Sequence, residues 1–258
     1  MSIITYPDIP LLQKDLIGNA NNYYPNKQFA FAIGLNNDVD NTQETVWGFG
    51  GPYVFPTSAI QMQVVSSNAN DTAAGTGART VHIQYLDNTY TPQIEAVTLN
   101  GVTPVNTVAT NILRINVFHV LTAGSGSTAA GNISLQAVGG ATTYGYIFLG
   151  DNYARQAVYT IPAGKNGYLC GWQAYAGAAL LGHLVRVTFN ATVDVTDGVL
   201  LSGIFLPVSE ILCQDNGSIV HYPIPIRFPA TSDLKIDVIS DNAAANSVVS
   251  ATGFGWVE

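Results

Sequence analysis

The sequence predicts an all-β protein with two antiparallel β-sandwich or jelly-roll-like domains and an extended N-terminal arm. Three observations support this class. Short runs of alternating apolar and polar residues recur along the chain, Gly, Pro, Asn and Asp separate them, and no amphipathic segment reaches three helical turns. Alternation with a period of two is typical of half-buried strands, and short strands at regular spacing are typical of sandwiches and jelly rolls.

Residues 79–105 give the clearest strand pattern. Apolar residues occupy every second position from 81 to 85, and a second alternating run follows at 97–99. The link between the runs is rich in Asn, Asp and Pro, which favours a loop. Asn100-Gly101 comes next, a pair that suits a two-residue hairpin because both positions can adopt positive φ.

Residues 1–45 form the predicted arm, which is rich in Pro and Asn. One alternating run, Phe29, Phe31 and Ile33, predicts a strand within it. Arms of this composition are often ordered only by a neighbouring subunit.

Two β-sandwich domains follow the arm, at residues 46–138 and 139–258, and Gly139-Gly140 marks the predicted boundary. Each has about 100 residues, an ordinary domain size. In the first domain, the small-residue segments 66–78 and 122–131 are predicted to be loops, the second of them flexible.

The second domain contains an informative run at residues 220–228. Its apolar residues alternate, and Pro223 and Pro225 lie on the opposite face. Because proline cannot donate to a strand ladder, this run is predicted to be an edge strand or an interface segment.

The composition limits the choice of partners. Apolar residues make up 47% of the chain and charged residues only 10%, against about 25% charged residues in a typical domain. Either amides and hydroxyls dominate the surface, or partner subunits cover much of it. The nine Lys and Arg residues are scattered and the net charge is −8, which disfavours nucleic-acid binding. The most apolar window, 174–187, is too short to cross a bilayer, so no membrane association is expected.

Few residues suggest chemistry. Cys170 and Cys213 are expected to be buried thiols, with a single disulfide as the alternative. The segment 124–127, Gly-Ser-Gly-Ser, lacks the lysine and the following helix of a phosphate-binding loop. No paired carboxylates suit a β-sandwich hydrolase or lyase, so we expect no catalytic residues, no cofactor and no enzymatic activity.

Metal ligation is weakly indicated. Four histidines are present, none at ligand spacing from another in the sequence: His82, His119, His183 and His221. The best oxygen ligands for Ca²⁺ are Asn36, Asn37, Asp38, Asp40 and Glu44. The glycine and spacing of an EF-hand loop are missing, so an Asn/Asp turn is the favoured interpretation and no metal site is predicted.

Aromatic residues offer a second type of contact, because their rings could stack on sugars or anchor an interface. The candidates are Tyr23, Tyr24, Trp47, Tyr53, Tyr90, Tyr153, Tyr175 and Trp256.

Several phrases together resemble a known family. They are NANDTAAGTGARTVHIQYLDNTYTPQIEAVTLNG, ILRINVFHV with a Gly/Ser/Ala loop after it, AVYTIPAGKNGYL and HYPIPIRFPATSDLKIDV. In this order they resemble β-rich virion structural proteins of tailed bacteriophages of the marine and cyanobacterial type, from residue 68 onward. The resemblance implies a homotrimeric capsid decoration or cement protein on the virion surface, with the major capsid protein as partner. The alternative it leaves open is a neck, tail or fibre component, with possible glycan binding through loop aromatics. It carries no catalytic residues.

Overall fold

A computed structural model describes residues 27–177, 183–214, 216–243 and 247–258. Within these ranges the chain forms sixteen β-strands in antiparallel sheets and no α-helix, so the predicted all-β class is confirmed. No helix in the described part of the chain has the length and apolarity needed to cross a membrane. The first 26 residues of the predicted arm lie outside the described residues.

In chain order the strands are β1 (Gln28–Val39), β2 (Glu44–Thr45), β3 (Met62–Ser66), β4 (Ala78–Asp87), β5 (Pro92–Thr98), β6 (Val105–Asn106), β7 (Ile112–Ala123), β8 (Ile133–Ala137), β9 (Thr143–Ile147), β10 (Val158–Thr160), β11 (Gly167–Gly177), β12 (Val185–Ala191), β13 (Leu206–Cys213), β14 (Gly217–Phe228), β15 (Asp233–Ser240) and β16 (Ser247–Val257).

Strands from both ends of the described chain build one sandwich, which we name the terminal lobe. One of its sheets has the order β1-β16-β11-β14, and the other has the order β10-β15-β12-β13 with β2 also on β15. The two sheets enclose a core with Trp172, Phe189 and Phe228 at its centre. Because β1 pairs with β16 along most of its length, the first and last strands close this lobe together.

Strands β3 to β9 build a second sandwich, which we name the inserted lobe because it lies between β2 and β10 in the chain. Its sheets have the orders β6-β3-β8-β9 and β5-β4-β7. Met62, Ile83, Phe118 and Leu135 are fully buried between them. The apolar face of each amphipathic strand is thus covered by the opposite sheet, as the alternating pattern requires.

The two cores divide the chain differently from the predicted domains. Gly139 and Gly140 have positive φ angles of 91° and 78° and form the turn between β8 and β9, which pair in one sheet. The chain passes from one core to the other between Ala154 and Ala157. Gly-Gly marks a tight turn here because glycine tolerates positive φ, and a tight turn can lie inside a sheet as easily as between domains.

Asn100-Gly101 does not close a hairpin. β5 pairs with β4, whereas β6 pairs with β3 in the other sheet. The turn instead carries the chain across the sandwich, and Gly101 accepts the φ of 59° that this requires. Its N–H donates to the carbonyl oxygen of Asp71 at 2.7 Å, and its own carbonyl accepts the N–H of Ser66 at 3.0 Å.

Asp71 organises the small-residue loops of the inserted lobe. Its buried carboxylate accepts the Ser66 hydroxyl at 2.6 Å and the N–H groups of Ala78, Ala130 and Gly131 at 2.7–2.9 Å. The loop at 122–131, predicted to be flexible, is thereby fastened to the loop at 66–78. Burial of this charge is tolerable because four donors replace its water shell.

The terminal lobe confirms two predictions from the sequence. β14, which contains Pro223 and Pro225, is an edge strand of its sheet, where the missing N–H groups break no inner ladder. Cys170 and Cys213 are buried thiols and no disulfide joins them.

Candidate functional site

The large apolar residues of β1 point away from the core. Phe29, Phe31 and Ile33 alternate along the strand and are 44%, 38% and 36% exposed. The sequence predicted the strand correctly, but a half-buried strand normally turns its larger apolar residues inward. In the first part of β1 the side that lies against the core carries only small residues, at Ala30, Ala32 and Gly34, and Val39 enters the core at the end of the strand.

Close approach of the neighbouring backbone explains this inversion. A Cβ atom added at Gly34 would overlap the carbonyl oxygen of Val46 and the backbone and side chain of Ala157. The inner side of β1 therefore has no room for a larger side chain at Gly34. The first part of the strand packs on the core by its small residues, and its aromatic side is partly exposed.

The neighbouring strand extends this apolar surface. In the β1–β16 register, Phe29 lies opposite Trp256 and Phe31 lies opposite Phe254. On the other side of β16, Tyr168 of β11 stacks on Trp256 with ring centroids 5.2 Å apart and an interplanar angle of 18°. Three adjacent strands thus supply aromatic rings to one side of the sheet, where Phe29 and Phe31 also line a cleft with Gln84 of the inserted lobe.

We name this surface the aromatic face and define it by six residues: Phe29, Phe31, Ile33, Tyr168, Phe254 and Trp256. Charged residues flank it: Lys27 Nζ lies 4.0 Å from the ring centroid of Trp256, and Arg227 is the cross-strand partner of Tyr168. Phe29, Phe31 and Ile33 are its exposed members, Tyr168 and Phe254 are half-buried, and Trp256 is buried beneath its neighbours. Exposed apolar side chains that alternate along one strand are typical of a protein-contact surface. Its position on the edge strand β1 also leaves backbone groups available for strand addition.

A cleft of about 670 Å³ between the lobes is the second candidate site. At its floor, Arg114 of the inserted lobe and Asp233 of the terminal lobe form a bidentate ion pair, with N–O distances of 2.8 and 2.9 Å. The remaining terminal nitrogen of Arg114 donates to the carbonyl oxygens of Pro56 and Leu113. The Thr160 hydroxyl donates to Asp233 at 2.7 Å. These charged groups satisfy each other, so they hold the lobes together rather than present charge to a ligand.

The candidate aromatic residues are distributed over several environments. Trp47 and Tyr53 are buried in a small cluster with Val158. Tyr90 lies beside Arg114, with 5.5 Å between the guanidinium carbon and the ring centroid. Tyr175 is 54% exposed. Tyr153 stacks near His119, Trp256 belongs to the aromatic face, and Tyr23 and Tyr24 lie outside the described residues.

The candidate calcium ligands lie in an irregular end of β1 and in the turn that follows it. Asn36 Oδ1 accepts the N–H of Asp38, and Asp40 Oδ1 accepts the N–H of Thr42. Asn36 also donates to Glu44 at 2.6 Å. These are the short-range contacts by which Asn and Asp stabilise turns.

Two of the four histidines contact each other, and the other two contact different residue types. His183 contacts Asp241 Oδ1 at 2.9 Å, and the ring of His221 lies 5.8 Å from that of Phe254. His82 and His119, which are 37 positions apart in the sequence, meet with 3.0 Å between ring nitrogens. Sequence spacing did not reveal this pair, because the pairing of β4 with β7 creates it.

Comparisons with known proteins do not assign a family. No protein family matches the chain, and no curated protein does. Among solved structures, the chain is similar to the VP2 subviral particle of infectious bursal disease virus, at a TM-score of 0.20 and 14% identity over 90% of this chain and 72% of that one. The structure of the Gx strain of that virus gives a TM-score of 0.19 and 10% identity, over 90% of this chain and 69% of that one. The T=1 particles derived from the virus give a TM-score of 0.17 and 13% identity, over 90% of this chain and 72% of that one. Similarity at these TM-scores carries no argument about fold or function.

Proposed function

We propose that this chain is a structural protein of a tailed-phage virion, a decoration or cement protein that binds the major capsid protein on the outer surface of the head. The observation that carries the proposal is the aromatic face, whose exposed residues Phe29, Phe31 and Ile33 lie on the edge strand β1 and point away from the core. The sequence phrases that resemble those of β-rich virion proteins are the reason for proposing the particle as the partner. Enzymatic activity is not part of the proposed role.

The aromatic face would bridge capsid subunits by burial of apolar area. Full burial of a large apolar side chain contributes roughly 1.5–3 kcal/mol. Phe29, Phe31 and Ile33 each retain more than a third of their exposure, so a partner could still gain part of this energy at each position. Because the contact would be apolar, salt would weaken it little, unlike a contact made by charges.

A homotrimer is the proposed assembly, since the three-fold positions of an icosahedral shell offer matching sites. The low charge content of 10% fits a chain with much of its surface at contacts, because charged residues are depleted at interface cores. The described part of the predicted arm, residues 27–45, is folded into the terminal lobe through β1 and β2, and it would contribute the exposed side of β1 to the contact with the capsid.

Immunogold labelling of intact virions with an antibody to this chain tests the location. We expect gold over the whole head, in numbers that correspond to many copies per particle. Gold confined to one pole or to the tail would contradict the decoration role and support a neck or tail component.

Tyr175 favours that second candidate function. Its ring is 54% exposed, and Gln173, Ser250 and Thr252 lie beside it on the same shallow surface. An exposed ring flanked by amide and hydroxyl groups is suited to stacking on a sugar. Glycan-array binding that Tyr175→Ala abolishes would identify this chain as a glycan-binding tail or fibre component.

Phe31→Lys tests the aromatic face directly. A charge at the centre of an apolar interface must be desolvated, so we expect the affinity for particles that lack this protein to fall on the order of tenfold or more. Co-sedimentation with such particles measures the affinity, and the far-UV spectrum and melting temperature check the fold. Val108→Lys is the matched control, because Val108 is 89% exposed but lies in the inserted lobe. Equal binding by the two variants would exclude the aromatic face as the docking surface.

A further inference from the structure

His82 and His119 form a cross-strand pair on the inserted lobe. The two residues are direct partners in the register of β4 and β7. Nδ1 of His82 lies 3.0 Å from Nε2 of His119, and the rings are 4.9 Å apart between centroids. Both side chains remain partly exposed, so an ion from solvent can reach them.

Contacts around His119 fix its tautomer and its plane. Its Nδ1 lies 2.9 Å from the carbonyl oxygen of Val120 and must carry the proton, because a carbonyl oxygen only accepts. Nε2 therefore presents a lone pair toward His82. The ring of Tyr153 stacks on His119 at 6.4 Å with an interplanar angle of 9°. A histidine that donates its other N–H to a backbone carbonyl is the usual arrangement in protein metal sites.

The state of His82 suits the same role. Its Nδ1 donates the proton of the inter-ring hydrogen bond, since His119 Nε2 is the acceptor. Transfer of its proton from Nδ1 to Nε2 through water leaves the ring neutral and frees a second lone pair beside that of His119.

The geometry points to a binding site for a divalent transition ion such as Zn²⁺, Ni²⁺ or Cu²⁺, with His82 Nδ1 and His119 Nε2 as its two protein ligands. Metal–imidazole bonds are about 2.0–2.1 Å long. Two nitrogens 3.0 Å apart can therefore bind one ion as adjacent ligands, at an angle of about 90°. Because the two nitrogens face each other in the hydrogen bond, each ring must tilt by about 45° before both lone pairs point at one ion.

The remaining ligand positions would be filled by water. Within the described residues, no group of three or more His, Cys, Asp or Glu side chains is placed to hold a metal ion. Imidazole ligands favour Zn²⁺, Cu²⁺ and Ni²⁺ over Mg²⁺ and Ca²⁺, which prefer oxygen. A bound ion would link β4 to β7 and so stabilise the folded inserted lobe.

The test uses the full-length chain and titrations with ZnCl₂ and NiCl₂, followed by isothermal calorimetry and by melting temperature. We expect a rise in the melting temperature with either ion and little response to MgCl₂. His82→Gln and His119→Gln each remove one ligand and should weaken the affinity by about tenfold or more, because the second nitrogen no longer binds intramolecularly. His221→Gln is the matched control, since His221 lies on the terminal lobe.

Two outcomes would overturn the proposal. One is an equal response to Zn²⁺ in the wild type, His82→Gln and His119→Gln. The other is an electron paramagnetic resonance spectrum of the Cu²⁺-loaded wild type that lacks the couplings of two imidazole nitrogens. The spectrum needs no variant, so the result stands even if one substitution prevents folding.

Discussion

Asp71→Ala will destabilise the inserted lobe more than any substitution of an exposed carboxylate. The buried carboxylate accepts one hydroxyl and three backbone N–H groups, and all four donors lose their partner in the variant. Buried donors without partners cost about 1–3 kcal/mol each, partly relieved where water enters. We expect a loss of about 3–5 kcal/mol in the free energy of unfolding, and a fall in melting temperature on the order of 10 °C.

Two further variants sharpen this measurement. Asp71→Asn keeps the size of the side chain and one acceptor oxygen, but its NH₂ group faces N–H donors. We therefore expect a loss in the free energy of unfolding that is smaller than that of Asp71→Ala. Asp197→Ala is the matched control, because Asp197 is exposed and only accepts the N–H of Val199 nearby. Urea unfolding that gave the same free energy for Asp71→Ala and Asp197→Ala would show that Asp71 does not fasten the loops.

Arg114→Ala will separate the unfolding of the two lobes. The substitution leaves the Asp233 carboxylate with the Thr160 hydroxyl as a side-chain donor and without its counter-charge. Loss of one partner of a buried ion pair costs about 3–5 kcal/mol, mainly because the other charge stays buried. Since Arg114 and Asp233 belong to different lobes, the substitution weakens the contact between the inserted lobe and the terminal lobe.

Two spectroscopic signals can resolve the lobes. Trp47, Trp172 and Trp256 all lie outside the core of the inserted lobe, whereas far-UV circular dichroism reports strands of both lobes. We expect the two signals to change together in the wild type and at different urea concentrations in Arg114→Ala. Arg186→Ala is the control, because its contact with Glu210 is exposed and 3.8 Å long, worth at most about 1 kcal/mol. Coincident transitions in Arg114→Ala would show that the ion pair does not couple the lobes.

Local pattern was informative wherever neighbouring positions decide the structure. The alternation at 81–85 predicted β4, and the prolines at 223 and 225 predicted an edge strand, which β14 is. In both cases the physical cause lies within a few residues: side chains alternate along an extended chain, and proline lacks an N–H.

β7 shows where local pattern stops being sufficient. Strict alternation places Arg114 and Asn116 on the same face as Ile112 and Phe118, but a bulge lies where β7 pairs with Gln84 and Tyr85. An extra residue in one strand shifts the faces that follow it, and sequence alternation does not mark its position. Ile115 and Phe118 therefore both reach the core.

The sequence by itself determined the all-β class, several of its strands and the edge position of β14. Only the tertiary structure decided which side of β1 faces outward, because that depends on the close approach of Val46 and Ala157 to Gly34. It also decided the contacts between Arg114 and Asp233, 119 positions apart, and between His82 and His119. Alternation establishes that a strand has two faces, whereas the packing of distant strands determines what each face meets.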